Sequence, residues 1–467
     1  MKITLDKILA LIVAAAALSL CAFQFLDPFL WFDESGQFFI GLGLNHYSDP
    51  FLTRGTLYDV IVNNRFYNLD PGGFSIMVYF WTLFSTSVYF LRVLPLLFFL
   101  ASVYFLYRIL THEKVSSSYV TVFLGAYVVF AGLFFLIAEF RAYSMEICGT
   151  LMTLWLYLKY SDKLDYRRLL TISLVACFFC ISRYSFIMVA FCLALFIIFD
   201  LFRKETFGRF IAKAAVFGAP LLSTVLLIFF FMTRLQDSGT LNYVGYIGKN
   251  PRLLLLSPLT LLFYLNIILF ALRYRKEKKV PFILVYALGV SSVFFILSIC
   301  SLFPWDLKRA ASVTLLNLLS LMIHFTYFAG ELAERKWVIY PLEGLVVLCS
   351  LFLCYRTTHR EFVDISREFE ALDLSKYEKV YVAYTSIPDI KYQYEFGRLR
   401  DRVAEDGYPE KFVFQARSYQ LADGEFREHL LAPEEAECDL YFHLDARQLN
   451  GFKAEKNCTY SFVKEQE

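Results

Sequence analysis

The stretch ILALIVAAAALSLCAFQFLDPFLWFDESGQ, residues 8–37, decides how this chain is read. Its first part, Ile8 to Leu26, is a 19-residue run without a charge. A helix of ~20 apolar residues matches the ~30 Å hydrocarbon core of a bilayer. A secretory signal has a shorter apolar core and a small-residue cleavage site, and Phe25-Leu26-Asp27-Pro28 is not such a site. The run is therefore expected to be a retained first transmembrane helix. Just beyond it stand Asp33 and Glu34. Adjacent carboxylates beside lipid are costly unless they have a task. A carboxylate at a membrane surface can take a proton from an acceptor hydroxyl or supply oxygen to a divalent cation. The plainer alternative is a helix start, with Asp33 as cap and Glu34 in the first turn.

The whole chain extends this reading. Of 467 residues, 58% are hydrophobic and 19% charged. The mean hydropathy is +0.52. These values exclude an ordinary soluble domain and fit a polytopic helical membrane protein. Aromatic residues are abundant, with 51 Phe and 31 Tyr, which suits lipid contact and the membrane interface. The net charge of +2 hides an asymmetry. Residues 356–467 hold 16 Lys+Arg against 23 Asp+Glu, whereas residues 1–355 hold 29 against 20. Neither part has the basic stripe of a nucleic-acid binder, so no nucleic-acid partner is expected.

Ten further apolar stretches follow the first: Val93–Leu110, Tyr119–Ala138, Ala142–Leu158, Leu169–Ser182, Tyr184–Phe199, Ala214–Thr233, Leu253–Leu272, Val280–Trp305, Ala310–Gly330 and Trp337–Tyr355. Eleven spans are expected in all. With the N-terminus inside, inner connections hold 19 basic residues and outer connections hold 10. The positive-inside rule favours that orientation. It puts the N-terminus in the cytoplasm and the acidic tail outside, in the periplasm if the membrane is a bacterial inner membrane. Two segments carry the count. Pro71–Ser87 is apolar but opens Pro-Gly-Gly, and is expected to be an interfacial or re-entrant helix on the outer side. Leu169–Phe199 is expected to be a hairpin with Arg183 at its outer tip.

The expected domains are a transmembrane part, 1–355, with first outer loop 27–89, and an outer α/β domain, 356–467. In the latter, YEKVYVAY (377–384), KFVFQA (411–416), CDLYFHL (438–444) and CTYSFV (458–463) read as strands. SIPDIKYQYEFGRLRD (386–401) and DGEFREHLL (423–431) read as helices, capped by Ser386 or Asp423. Cys438 and Cys458 could pair outside the cell. Most other cysteines lie inside apolar runs as packing residues.

Ionisable residues gather near outer helix ends. The first outer loop holds Asp33, Glu34, His46, Arg65 and Asp70; AEFRAYSME holds Glu139, Arg141 and Glu146; Arg183 follows, and PWDLKRA holds Lys308 and Arg309. Guanidinium groups at a lipid–water boundary suit phosphate. Snorkelling to headgroups is the ordinary alternative, and it is weaker for Arg141, bracketed by acids, and for Arg183, which breaks an apolar run.

Three blocks resemble GT-C-type glycosyltransferases, closest to the branch of protein O-mannosyltransferases and the aminoarabinose transferase of lipid A. They are WFDESGQ, then NLDPGGFSIMVYFWTLFSTSVYFLRVLP, then EFRAYSMEICGTLMTLWLYL, together within about residues 8–160. Asp70-Pro71-Gly72-Gly73 departs from the family pattern, lacking its His and second Pro. The resemblance implies an inverting transfer of a sugar from a polyprenyl phosphate to a hydroxyl of a lipid, glycan or protein on the outer face. It implies Asp33 as general base, Glu34 as its orienting neighbour or co-ligand of a divalent cation, and Arg141 on the donor phosphate. Arg183, Lys308 and Arg309 join the phosphate site by topology, while Asp70, Glu146, His46 and Arg65 are the expected substrate contacts. No cofactor is required. A flippase of lipid-linked sugars and a non-catalytic envelope scaffold are the competing classes. The charge-free stretches Tyr119–Ala138 and Ala214–Thr233 speak against a polar path through the membrane.

Overall fold

The computed structural model describes residues 5–26, 30, 32–44, 54–68, 70–235, 254–277, 280–300, 302–333 and 336–358, and six short strands beyond them. The helices are α1 (Leu5–Phe25), α2 (Phe32–Gly41), α3 (Leu57–Tyr67), α4 (Gly73–Trp81), α5 (Val88–His112), α6 (Ser117–Leu133) and α7 (Tyr143–Tyr160). They continue as α8 (Tyr166–Cys180), α9 (Tyr184–Lys204), α10 (Phe207–Phe231), α11 (Pro258–Lys276), α12 (Phe282–Ile299), α13 (Ala311–Ala333) and α14 (Lys336–Thr358). The chain divides into two units: Met1–Leu26, Asn68–Phe74 and Arg92–Tyr355 form one, and Asp27–Tyr67, Ser75–Leu91 and Arg356–Glu467 the other.

Eight helical segments among the described residues are long and apolar enough to cross a membrane, in α1, α5 and α9 to α14. The protein is thus a polytopic helical membrane protein, and eight of the eleven expected spans meet that measure among the described residues. The other three expected spans differ for separate reasons. α6 has 17 residues and stops at Leu133, short of Ala138. There Phe135 takes a left-handed φ of 58°, and Leu136 N–H donates to Ala131 O at 2.8 Å. This is the close of a helix that glycine usually makes, so no glycine marked it in the sequence. α7 has 18 residues, of which Tyr143 to Leu151 are all buried. It packs against α8, α9 and α13, so protein rather than lipid surrounds it and polar residues are tolerated. α8 has 15 residues, about 22 Å. Its partner α9 runs five residues past Phe199 to Lys204 and reaches 21 residues, long enough to span. α4 has nine residues, about 14 Å, and cannot cross.

In the first unit, lipid-facing and protein-facing surfaces separate clearly. α10 exposes Leu226, Leu227, Phe229, Phe230 and Phe231, an apolar face that water would not tolerate. Interiors are joined by polar contacts: Asn266 Nδ2 donates to Asn317 Oδ1 at 3.1 Å, and Asn317 Nδ2 to Ser291 Oγ at 2.7 Å. They tie α11, α13 and α12, as hydrogen bonds between membrane helices do. α7 and α8 approach closely at Gly149, where a Cβ would lie 2.5 Å from Phe179 Cγ. Among the described cysteines, which include Cys177 and Cys180, none forms a disulfide.

In the second unit, α2, α3 and α4 share a buried polar chain. Gln37 Nε2 donates to Ser75 Oγ at 2.7 Å, and Ser75 Oγ donates to Asn64 Oδ1 at 2.7 Å. Its tail holds a four-stranded sheet of β1 (Val380–Val382), β2 (Phe412–Phe414), β5 (Leu440–His443) and β6 (Thr459–Phe462), in the order β2-β1-β5-β6 and parallel throughout. These strands fall within the four expected stretches; the helix expected at 386–401, and Cys438 and Cys458, lie outside the described residues. DGEFREHLL is corrected: β4 (Phe426–Arg427) lies in it and pairs antiparallel with β3 (Tyr419–Gln420). The Asp423-Gly424 pair between them is a turn signal, which outweighed the helical pattern.

Candidate active site

The first unit builds its polar centre where α7 begins. Residues 134–142 lead from α6 to α7, Arg141 N–H bonding Glu139 O at 2.7 Å. Glu146 lies in the first turn of α7, where a carboxylate favours the helix dipole. It is nonetheless 0% exposed, so it needs partners. Its main one is Arg183, in extended backbone (φ −150°, ψ 150°) at the break between α8 and α9. Arg183 Nη1 lies 3.4 Å from Glu146 Oε2, and its Nε lies 3.3 Å from Asp70 Oδ1. Its guanidinium carbon sits 4.0 Å from the centre of the Tyr143 ring. Burial works against the Arg183 charge, but Tyr143, Glu146 and Asp70 outweigh it and raise its pKa above the usual arginine value.

Asp70 reaches this place because its segment is pinned. Gly73 N–H donates to Ile181 O at 2.9 Å, in the turn that carries Arg183. A Cβ on Gly73 would stand 2.4–2.6 Å from Ile181, and Gly72 has a φ of 86°. Both glycines are therefore required. Phe74 closes the contact edge-on against Phe140, ring centres 5.8 Å apart.

Two more cations converge on Tyr143. The Arg141 guanidinium lies 5.6 Å and the Lys308 ammonium 5.3 Å from its ring centre. Lys308 also pairs with Glu139, at 2.8 Å from Oε2 and 3.0 Å from Oε1. Asp306 sets up this approach: its Oδ1 accepts from the backbone N–H of Lys308 and Arg309 at 2.9 and 3.0 Å, turning the chain into α13. Beneath the cluster, Thr150 and Ser312 share a 2.8 Å hydrogen bond between α7 and α13.

The arrangement is balanced: three cations, Arg141, Arg183 and Lys308, stand among three buried carboxylates, Asp70, Glu139 and Glu146. The Arg183 contacts of 3.3–3.4 Å exceed the ~2.7–2.9 Å of a tight charge-assisted hydrogen bond. Arg183 therefore keeps donor capacity for an incoming anion, while the carboxylates can accept from hydroxyls.

Of the expected site residues, Arg141, Arg183, Lys308, Asp70 and Glu146 come together here, and Arg309 joins through its backbone. Asp33, Glu34 and Arg65 belong to the second unit, and His46 lies outside the described residues. α2 begins at Phe32, so Asp33 and Glu34 both lie in its first turn; Asp33 is half-buried and Glu34 is buried. Arg65 is half-buried in the last turn of α3. Adjacent helix residues project about 100° apart. Among the described residues, no group of three or more His, Cys, Asp or Glu is placed to hold a metal. Sequence reasoning missed Tyr143 as the hub, since one tyrosine among 31 carries no signal. It also missed Ser312, which is far from Thr150 along the chain.

The sequence matches no protein-family model and no curated protein.

Proposed function

We propose that this chain is a membrane glycosyltransferase of the GT-C type. It moves a sugar from a polyprenyl-phosphate donor to a hydroxyl of a lipid, glycan or protein acceptor, with inversion, on the outer face of the membrane. The observation that carries the reading is the convergence of Arg141, Arg183 and Lys308 on Tyr143 beside buried Asp70 and Glu146. Such a mix of guanidinium, ammonium, carboxylate and aromatic groups suits a sugar joined to phosphate. In the proposed reaction Asp33 takes the acceptor proton as the oxygen attacks the anomeric carbon. The bond from that carbon to the phosphate oxygen breaks, and its electron pair leaves with the phosphate. The cations offset the charge that develops there. Glu34 orients Asp33. This reading keeps the N-terminus cytoplasmic, the tail as an outer α/β domain, and the membrane as a bacterial inner membrane.

The test is transfer by the purified protein in vesicles supplied with a radiolabelled undecaprenyl-phosphate sugar and envelope lipids as acceptor. Transfer that stops in Asp33→Asn while donor binding persists supports the proposal. Movement of the intact donor across the bilayer without transfer would replace it with the flippase reading.

A further inference from the structure

We infer that the first unit carries a second anion site, for a phosphate group, at the end of α13 remote from Tyr143. It does not rest on the transferase reading. A cavity of about 240 Å³ opens there, its polar wall formed by Glu113, Lys114, Ser116, Tyr119, Arg273 and Thr326. Ser312 and Thr326 are 14 residues apart on α13, about 21 Å along the axis, so this cavity is separate from the cluster at Tyr143.

Four observations point to an anion. Arg273 is 8% exposed, and its Nε and Nη1 make no hydrogen bond. Its contacts are the Tyr327 ring, 3.9 Å from the guanidinium carbon, and Glu277 at 3.6 Å, a half-exposed neighbour one turn on. Tyr119 is 1% exposed, and its hydroxyl also makes no hydrogen bond. A buried donor left unmade is costly, so two on one cavity wall imply a ligand that accepts from both. Two helices begin at that wall, α6 after Ser116 and α12 after Pro281, and neither has a side-chain hydrogen bond at its cap. Helix starts present free amide N–H groups and positive potential, which favours anions. Lys114, held with a left-handed φ of 57°, adds an exposed ammonium at the mouth. Glu113 is the opposing charge. Burial pushes its carboxyl pKa up, against the pull of His112 and Arg273, which weakens its repulsion.

The phosphate can come from a lipid headgroup or from solution, and two probes separate these sources. The full-length protein in detergent is titrated with inorganic phosphate, following its thermal unfolding. In parallel, native mass spectrometry counts retained phosphatidylglycerol against phosphatidylcholine. Lys114→Gln, Tyr119→Phe and Arg273→Gln are compared with the wild type. Stabilisation by inorganic phosphate that the substitutions weaken identifies a soluble source. Selective retention of phosphatidylglycerol that they weaken identifies a lipid. Arg273→Gln should weaken either by ~10-fold or more, as loss of charge-assisted hydrogen bonds does. If Arg273→Gln fails to fold, Lys114→Gln and Tyr119→Phe decide, since one is at the mouth and the other removes a single oxygen. Equal behaviour of the folded variants and the wild type toward both probes overturns the site.

Discussion

Replacing Arg183 with glutamine removes the charge that Asp70 and Glu146 share and leaves two carboxylates buried. At 3.3 and 3.4 Å and an effective dielectric of ~20, each contact has a gross attraction of about 5 kcal/mol. Most of that is offset by the cost of removing the charges from water. The measurable quantity is the penalty for stranding the carboxylates. Breaking a buried pair from one side costs about 3–5 kcal/mol. The Arg183 side chain is 15% exposed, so water reaches one side and the lower end, about 3 kcal/mol, is expected. The assay is SDS-driven unfolding of Arg183→Gln, Glu146→Gln and the double variant. Because Glu146 is the fully buried partner, neutralising it as well should recover ~1–2 kcal/mol of the loss, the size of coupling seen between contacting groups. If Arg183→Gln costs under ~0.5 kcal/mol, the range of a neutral surface change, or if the two substitutions are additive, the ion cluster is not what holds α8, α9 and Asp70 together.

Four further outcomes are expected. Asp33→Asn, tested in the transfer assay above, should reduce turnover by ~10²–10⁴ with folding intact; near-normal turnover would return Asp33 to a helix-start role. Gly149→Ala places a methyl 2.5 Å from the Phe179 ring and should destabilise by about 1–3 kcal/mol through overpacking, read by the same SDS titration; an unchanged midpoint would refute the close approach of α7 and α8. Thr56 N–H and Oγ1 hydrogen-bond Asp59 Oδ2, both at 2.7 Å, and lower the Asp59 pKa. Its contribution to the start of α3 is therefore present above the ordinary carboxylate range and lost as pH falls through the lowered value, so amide exchange at the start of α3 should quicken only in strong acid, and Thr56→Val should move that onset to higher pH. A cysteine placed at Lys276 should resist membrane-impermeant thiol reagents applied from outside, while one in the tail should react; the reverse pattern would invert the orientation.

Much of the architecture was written locally. An uncharged run of helical length has few places to go but a bilayer or a deep interior, so α1, α5 and the last five long helices were legible as segments, though not to their exact ends. Arg141, Arg183 and Lys308 were legible as candidates for the same reason: each interrupts or borders an apolar run, where a charge without a partner is costly. Tertiary structure decided what each charge meets. Whether Arg183 pairs with Asp70 depends on Gly73 resting against Ile181, a contact between distant parts of the chain that no local pattern encodes. The turn at Phe135, the burial of the first half of α7 and the gathering of cations around Tyr143 arise likewise from helix packing. So does the placing of Arg273 and Tyr119 on one cavity wall. Hydropathy is a property of a segment, and it settles which segments leave water; the partner of a buried charge is a property of the assembled bundle, chosen by which helices come close enough to satisfy it.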